Sequence, residues 1–81
     1  MRIDKFLKVS RLLKRRTVAN SATENGKITV NGKIVKPSYR VKIGDVITIE
    51  FLCGSVSVKV LDLKETVKKE DASALYEILG E

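Results

Sequence analysis

Wound on a helix at about 100° per residue, the first twenty residues place Ile3, Phe6, Leu7, Ser10 and Leu13 on one arc and Lys5, Lys8, Arg11 and Arg15 on another. An apolar stripe toward a core and a polar stripe toward water is the pattern of a packed amphipathic helix. The spacing predicts a first helix over about residues 4–13, with Asp4 as N-cap. Lys8 stands where a hydrophobic staple needs an apolar residue, so that helix starts without one. Thr17 reads as the N-cap of a second helix over about residues 18–25, with Val18, Ala19 and Ala22 inward. The two alanines are small enough to let the helices approach closely. Gly26 ends the second helix as the residue past its C-cap, where a left-handed conformation costs glycine little.

Beyond Gly26 the apolar period shortens from that of a helix to two. Ile28–Val30 and Lys33–Val35 flank Asn31-Gly32, a strong local hairpin signal. Pro37 ends that pairing or sits on an edge. After a connection closing on Gly44-Asp45, Val46–Phe51 reads as a strand with Ile47, Ile49 and Phe51 on one face. Cys53-Gly54-Ser55 turns the chain, and Val56–Val60 alternates apolar and polar positions. The tail from Thr66 spaces Ala72, Leu75, Tyr76, Ile78 and Leu79 as a short helix, expected to dock on the sheet because so short a helix is marginal alone. The predicted fold class is α+β: two N-terminal helices packed on a small antiparallel sheet, with a short C-terminal helix. Residues 1–65 form the expected domain and residues 66–81 a short acidic helical tail.

Charge adds a direction to this pattern. Residues 1–40 carry eleven Lys and Arg against Asp4 and Glu24, a net +9, whereas residues 41–81 carry five Lys against eight acids, a net −3. Such polarity orients a protein on a polyanion and speeds encounter. A basic stripe alone is often only a solvated face. Here it is nearly of one sign, and it culminates in Lys14-Arg15-Arg16 at the predicted helix junction. The candidate RNA-binding residues are Arg2, Asp4, Lys5, Lys8, Arg11, Lys14, Arg15, Arg16 and Thr17. Arginine binds phosphate bidentately, so Arg2, Arg11, Arg15 and Arg16 are expected to set register, while Lys5, Lys8 and Lys14 supply attraction. Thr17 and the free amides beside it can add a phosphate contact. Asp4 serves either as a cap or as a clamp on an arginine.

Much chemistry is excluded. With no His and a single Cys among 81 residues, there is no Ser-His-Asp or Cys-His arrangement and no His/Cys zinc set. The glycines stand singly at turns and make no phosphate loop. A non-enzymatic chain without cofactor is expected, with Cys53 as a small buried hydrophobe. No segment reaches the roughly 20 apolar residues of a membrane span, so the expected location is the cytoplasm. The second predicted helix lacks the cations of a DNA-reading helix, which favours phosphate and shape recognition of folded RNA. Phe6 and Phe51 look buried, leaving Tyr39 as the one candidate for base stacking.

Five blocks in order, Arg2–Leu7, Ser10-Arg11, Arg15–Ala19, Gly26–Gly32 and Val41–Ile47, resemble the S-four-type RNA-binding domain, also called the alpha-L motif. Ile3 stands where leucine is usual. The resemblance covers about residues 1–50 and implies an RNA-binding surface on the two helices and adjoining hairpin. The short acidic tail looks like the ribosome-associated quality-control branch of that family. Membership there implies binding to stalled large ribosomal subunits carrying peptidyl-tRNA, contacts with ribosomal RNA and tRNA, and support for a partner factor that adds alanine tails. A monomer without membrane association is expected. Two other roles stay open at this point: regulation through another structured RNA, or targeting of a separate RNA-modifying enzyme.

Overall fold

The computed structural model describes residues 1–80. Two helices, α1 (Ile3–Val9) and α2 (Arg16–Glu24), precede strands β1 (Ile28–Val30), β2 (Lys33–Ile34), β3 (Val46–Phe51) and β4 (Gly54–Val60). A 3₁₀ helix, Lys69–Leu75, then leads into β5 (Tyr76–Gly80). The strands form one antiparallel sheet in the order β2-β1-β3-β4-β5. The α+β architecture expected from the sequence is therefore present.

The helices cover one face of the sheet. Ile3, Phe6 and Leu7 of α1 and Ala19 of α2 are fully buried, together with Ile28, Ile47, Val58 and Val60 from the strands. Ile28 lies opposite Ile49, and Val30 opposite Ile47, which in turn faces Val58. Cross-strand partners share a face, so these apolar side chains form a continuous row beneath the helices. Ala19 does what its size predicted, since it is completely buried. One turn on, the buried Thr23 hydroxyl donates to the Ala19 carbonyl at 2.6 Å and so carries no unmet polar group into the core.

Helix ends depart from the expected positions. α1 stops at Val9, four residues short of Leu13. Ser10 caps it by donating its amide to the Phe6 carbonyl, and Arg11 follows at φ 63°, its amide donating to the Lys8 carbonyl. The N-caps are Arg2 and Arg15, neither with a side-chain capping bond, so Asp4 and Thr17 lie inside the first turns of their helices. At the far end of α2 the expectation holds. Gly26 at φ 74° donates to Thr23, and Lys27 donates to Ala22, the paired bonds of a Schellman motif.

The hairpin turn has φ of 52° at Asn31 and 82° at Gly32, the positive pair that a type I′ turn requires. β2 is two residues long, one fewer than expected, and forms an edge. The Asn31 side chain does more than turn the chain: Oδ1 accepts from the Val46 amide at 3.0 Å and Nδ2 donates to Asp45 at 3.2 Å. Asp45, 9% exposed, also accepts from the Tyr39 hydroxyl at 3.3 Å and the Lys42 amide at 2.9 Å. Burial and the neighbouring Asp45 charge push the Tyr39 hydroxyl pKa up. One carboxylate thus ties the connection 36–45 to the hairpin. Asp45→Ala, which leaves these donors unmatched, is expected to cost about 1–3 kcal/mol in a denaturant unfolding experiment.

Three apolar placements were different from expectation. Phe51 is 48% exposed and Cys53 is exposed; both stand at the β3–β4 turn, where the cross-strand partner of Phe51 is Gly54, which has no side chain to cover it. Val18 is also 48% exposed, on the outer side of α2. The short C-terminal helix exists as the 3₁₀ segment, with Ala72 and Leu75 buried, but it ends at Leu75. Tyr76, Ile78 and Leu79, assigned to that helix by spacing, lie in β5, where Tyr76 pairs with Val60 and Ile78 with Val58.

Candidate nucleic-acid interface

α1 and α2 meet around the carboxylate of Asp4, only 1% exposed. Its Oδ1 accepts the Lys5 amide at 2.8 Å. Its Oδ2 accepts from Arg2 Nη2 at 3.1 Å and Asn20 Nδ2 at 3.4 Å, and lies 3.4 Å from Arg16 Nε. Of the two roles open to Asp4, the clamp is the one realised, and it grips two arginines. Burial by itself raises the Asp4 pKa. Hydrogen bonds from Arg16, Asn20 and the Lys5 amide, with the Arg16 charge, outweigh burial and hold the carboxyl below its ordinary value. Asp4 is accordingly ionised at neutral pH.

The consequence for the arginines is geometric. Arg2 and Arg16 remain 45% and 48% exposed at their side chains. A guanidinium carries five donors, so each turns part of its fork to Asp4 and keeps the rest for an outside acceptor. Two flexible cations separated by fourteen positions in the chain are thereby aimed from one point. A phosphate approaching this point meets donors whose rotamers are already restrained, which lowers the ordering cost of binding.

The other expected residues divide into separate groups. Lys8, Arg11 and Lys14 are exposed and line a common cleft at the α1–α2 connection. Arg15 is exposed at the N-cap of α2, and Thr17 is exposed in its first turn. The leading amides of α2 point out of the helix without intrahelical partners, as in any helix, and no side chain caps them. Lys5 is drawn away from the Asp4 cluster into an ion pair with Glu65. Tyr39, the expected stacker, packs partly buried against the core with its hydroxyl bound to Asp45.

Two cations join the surface that the helical pattern did not single out. A backbone bridge sets Arg40 opposite Arg2. Lys36 shares a groove with Arg2 and Asn20, between α2 and the chain after β2. Both were contained in the charge excess of residues 1–40, but only the bridge and the groove bring them beside the helices. Like charges set opposite each other repel, and a bound anion relieves that repulsion. Among the described residues, no group of three or more His, Cys, Asp and Glu is arranged to hold a metal ion. No helix among them is long and apolar enough to cross a membrane.

This chain belongs to the S4 domain family, whose model matches residues 1–47. Curated relatives named "RQC P-site tRNA stabilizing factor" extend the likeness through the remaining residues. The one from Halalkalibacterium halodurans is 54% identical over 81 residues, covering 100% of this chain and 92% of the relative. That from Bacillus subtilis is 52% identical over 81 residues, covering 100% and 94%. Among solved structures, the trimeric Heat Shock Protein 15 of Vibrio cholerae superposes with a TM-score of 0.90 at 30% identity, over 96% of this chain and 80% of that one. The solution structure of the hypothetical protein HP1423 superposes with a TM-score of 0.84 at 32% identity, over 100% and 99%.

Proposed function

We propose that this protein is an RNA-binding factor of ribosome-associated quality control, acting without catalysis. In this reading it binds large ribosomal subunits obstructed by peptidyl-tRNA, contacts ribosomal RNA and tRNA, and steadies the tRNA near the P site. A partner factor then extends the stalled chain with alanine. The observation that carries the reading is the Asp4 clamp, which presents Arg2 and Arg16 together at the helix junction. Likeness to the P-site tRNA stabilizing factors along the whole chain supports the choice of RNA. In the cell such a factor works in the cytoplasm, where the subunits are.

Co-sedimentation with large subunits that carry or lack peptidyl-tRNA tests this function. The protein is expected to pellet with the obstructed subunits, and binding is expected to fall steeply with salt as phosphates recover their counterions. Charge reversal at exposed Lys68 or Lys69, neither of which belongs to the Asp4 cluster, is expected to change binding less than removal of Arg16. Equal binding to empty subunits, or binding indifferent to salt, would speak against it.

A further inference from the structure

Lys8, Arg11 and Lys14 do not stand on a flat surface. They form one wall of a cleft of about 280 Å³ whose other wall is Glu65, Thr66 and Val67, from the acidic half of the chain. That volume is close to the lower end for ligand clefts. It suits a group of nucleotide size. Arg11 is held at φ 63°, a left-handed conformation that costs an ordinary residue about 1–2 kcal/mol and that glycine adopts freely. A glycine there would end α1 more cheaply, so a cation at this position comes at the expense of the backbone. On the opposite wall, Glu65 forms an ion pair with Lys5 although the Glu65 side chain is 71% exposed. An ion pair this open to water is weak and easily exchanged.

We propose that this cleft is a phosphodiester site, in which Lys8, Arg11 and Lys14 receive a backbone phosphate and Glu65 is a resident competitor holding Lys5 until that phosphate displaces it. The site rests on the RNA-binding function proposed above and adds to it a wall from outside the N-terminal helices. Thr66 offers a hydroxyl donor on that wall, and Val9 and Leu13 form the apolar part of the lining. The strained Arg11 is aimed by its backbone, as Arg2 and Arg16 are aimed by Asp4. Glu65 repels a weakly held anion and yields to one that several cations hold together. It therefore discriminates against isolated phosphate and in favour of a strand that also engages the Asp4 cluster.

The test uses the full chain and fluorescently labelled tRNA, titrated at several KCl concentrations. Glu65→Gln is expected to tighten binding about two- to fivefold, the range of an exposed ion pair, and to steepen the salt dependence. Glu70→Gln makes the same change of net charge outside the cleft and is expected to change affinity less. Arg11→Gly is expected to weaken binding about tenfold, one lost charge-assisted contact, while thermal stability stays the same or rises. Equal effects of Glu65→Gln and Glu70→Gln, weaker binding by Glu65→Gln, or wild-type affinity in Arg11→Gly would each overturn the site. Failure of the wild-type chain to bind RNA would instead overturn the function beneath it.

Discussion

Arg16→Ala is expected to lower affinity for obstructed large subunits by about ten- to a hundredfold, the loss of one hydrogen-bonded charge on phosphate. The domain should stay folded. Arg16 is half-exposed, and Asp4 keeps Arg2, Asn20 and the Lys5 amide as partners when it is gone. Arg2→Ala should behave alike, and each change should reduce the slope of log affinity against log salt by about one. Because both guanidiniums hang on the same carboxylate, the double variant need not be additive. Co-sedimentation of the purified variants, with circular dichroism to establish folding, reads these outcomes. Normal binding by both single variants would remove the helix junction from the interface.

Asp4→Asn separates positioning from simple attraction. The substitution removes a negative charge from a cationic surface, so electrostatics alone predicts tighter RNA binding. A clamp predicts the reverse: Arg2 and Arg16 lose the anion that aims them, and affinity falls about tenfold, equivalent to one charge-assisted hydrogen bond. Stability should fall too, by about 1–3 kcal/mol, for the same bonds weakened at a buried site. The acid limb provides an independent readout. Asp4 has a lower pKa folded than its ordinary value, so its contribution to stability is complete above that ordinary value. It is lost progressively as pH falls toward and through the depressed folded value. A plot of Tm against pH should therefore drop on the acid side for the wild type and be flatter for Asp4→Asn. Tighter RNA binding by this variant would rule out the clamp.

Local signals carried much of the fold. The change of apolar period after Gly26, the Asn31-Gly32 turn and the alternation in β4 each depend on near neighbours, and each matches the structure. What depends on tertiary packing was less visible. The row Tyr76–Leu79 suits a helix or a strand when only its spacing is considered. The pairing of β5 with β4 decides it as a strand. Phe51 pairs with Gly54 at the tip of the β3–β4 turn, and nothing in an alternating strand reveals where the covering layer stops. The early end of α1 turns on Arg11 at positive φ, a conformation that an arginine does not advertise.

The site followed the same division. Helical spacing grouped the cations of residues 1–16 as a surface, yet it did not separate those bound to a carboxylate from those free of one. Asp4 meets Arg16 and Asn20 only because α1 and α2 fold together. Lys5 meets Glu65 across sixty positions, and Arg40 meets Arg2 through a bridge between backbones. Such contacts have no local pattern. The candidate residues were legible as a charged set, and their organisation into a clamp and a cleft was not.

The most direct measurement is a crosslinking map of the protein on obstructed large subunits, with photo-reactive groups placed along α1, α2 and the outer face of the sheet. Crosslinks from positions beside Arg2, Lys14 and Arg16 to tRNA and large-subunit RNA, with few from the sheet face, are the expected result. Crosslinks dominated by another RNA, or arising from the sheet face and not the helix junction, would contradict the proposed function.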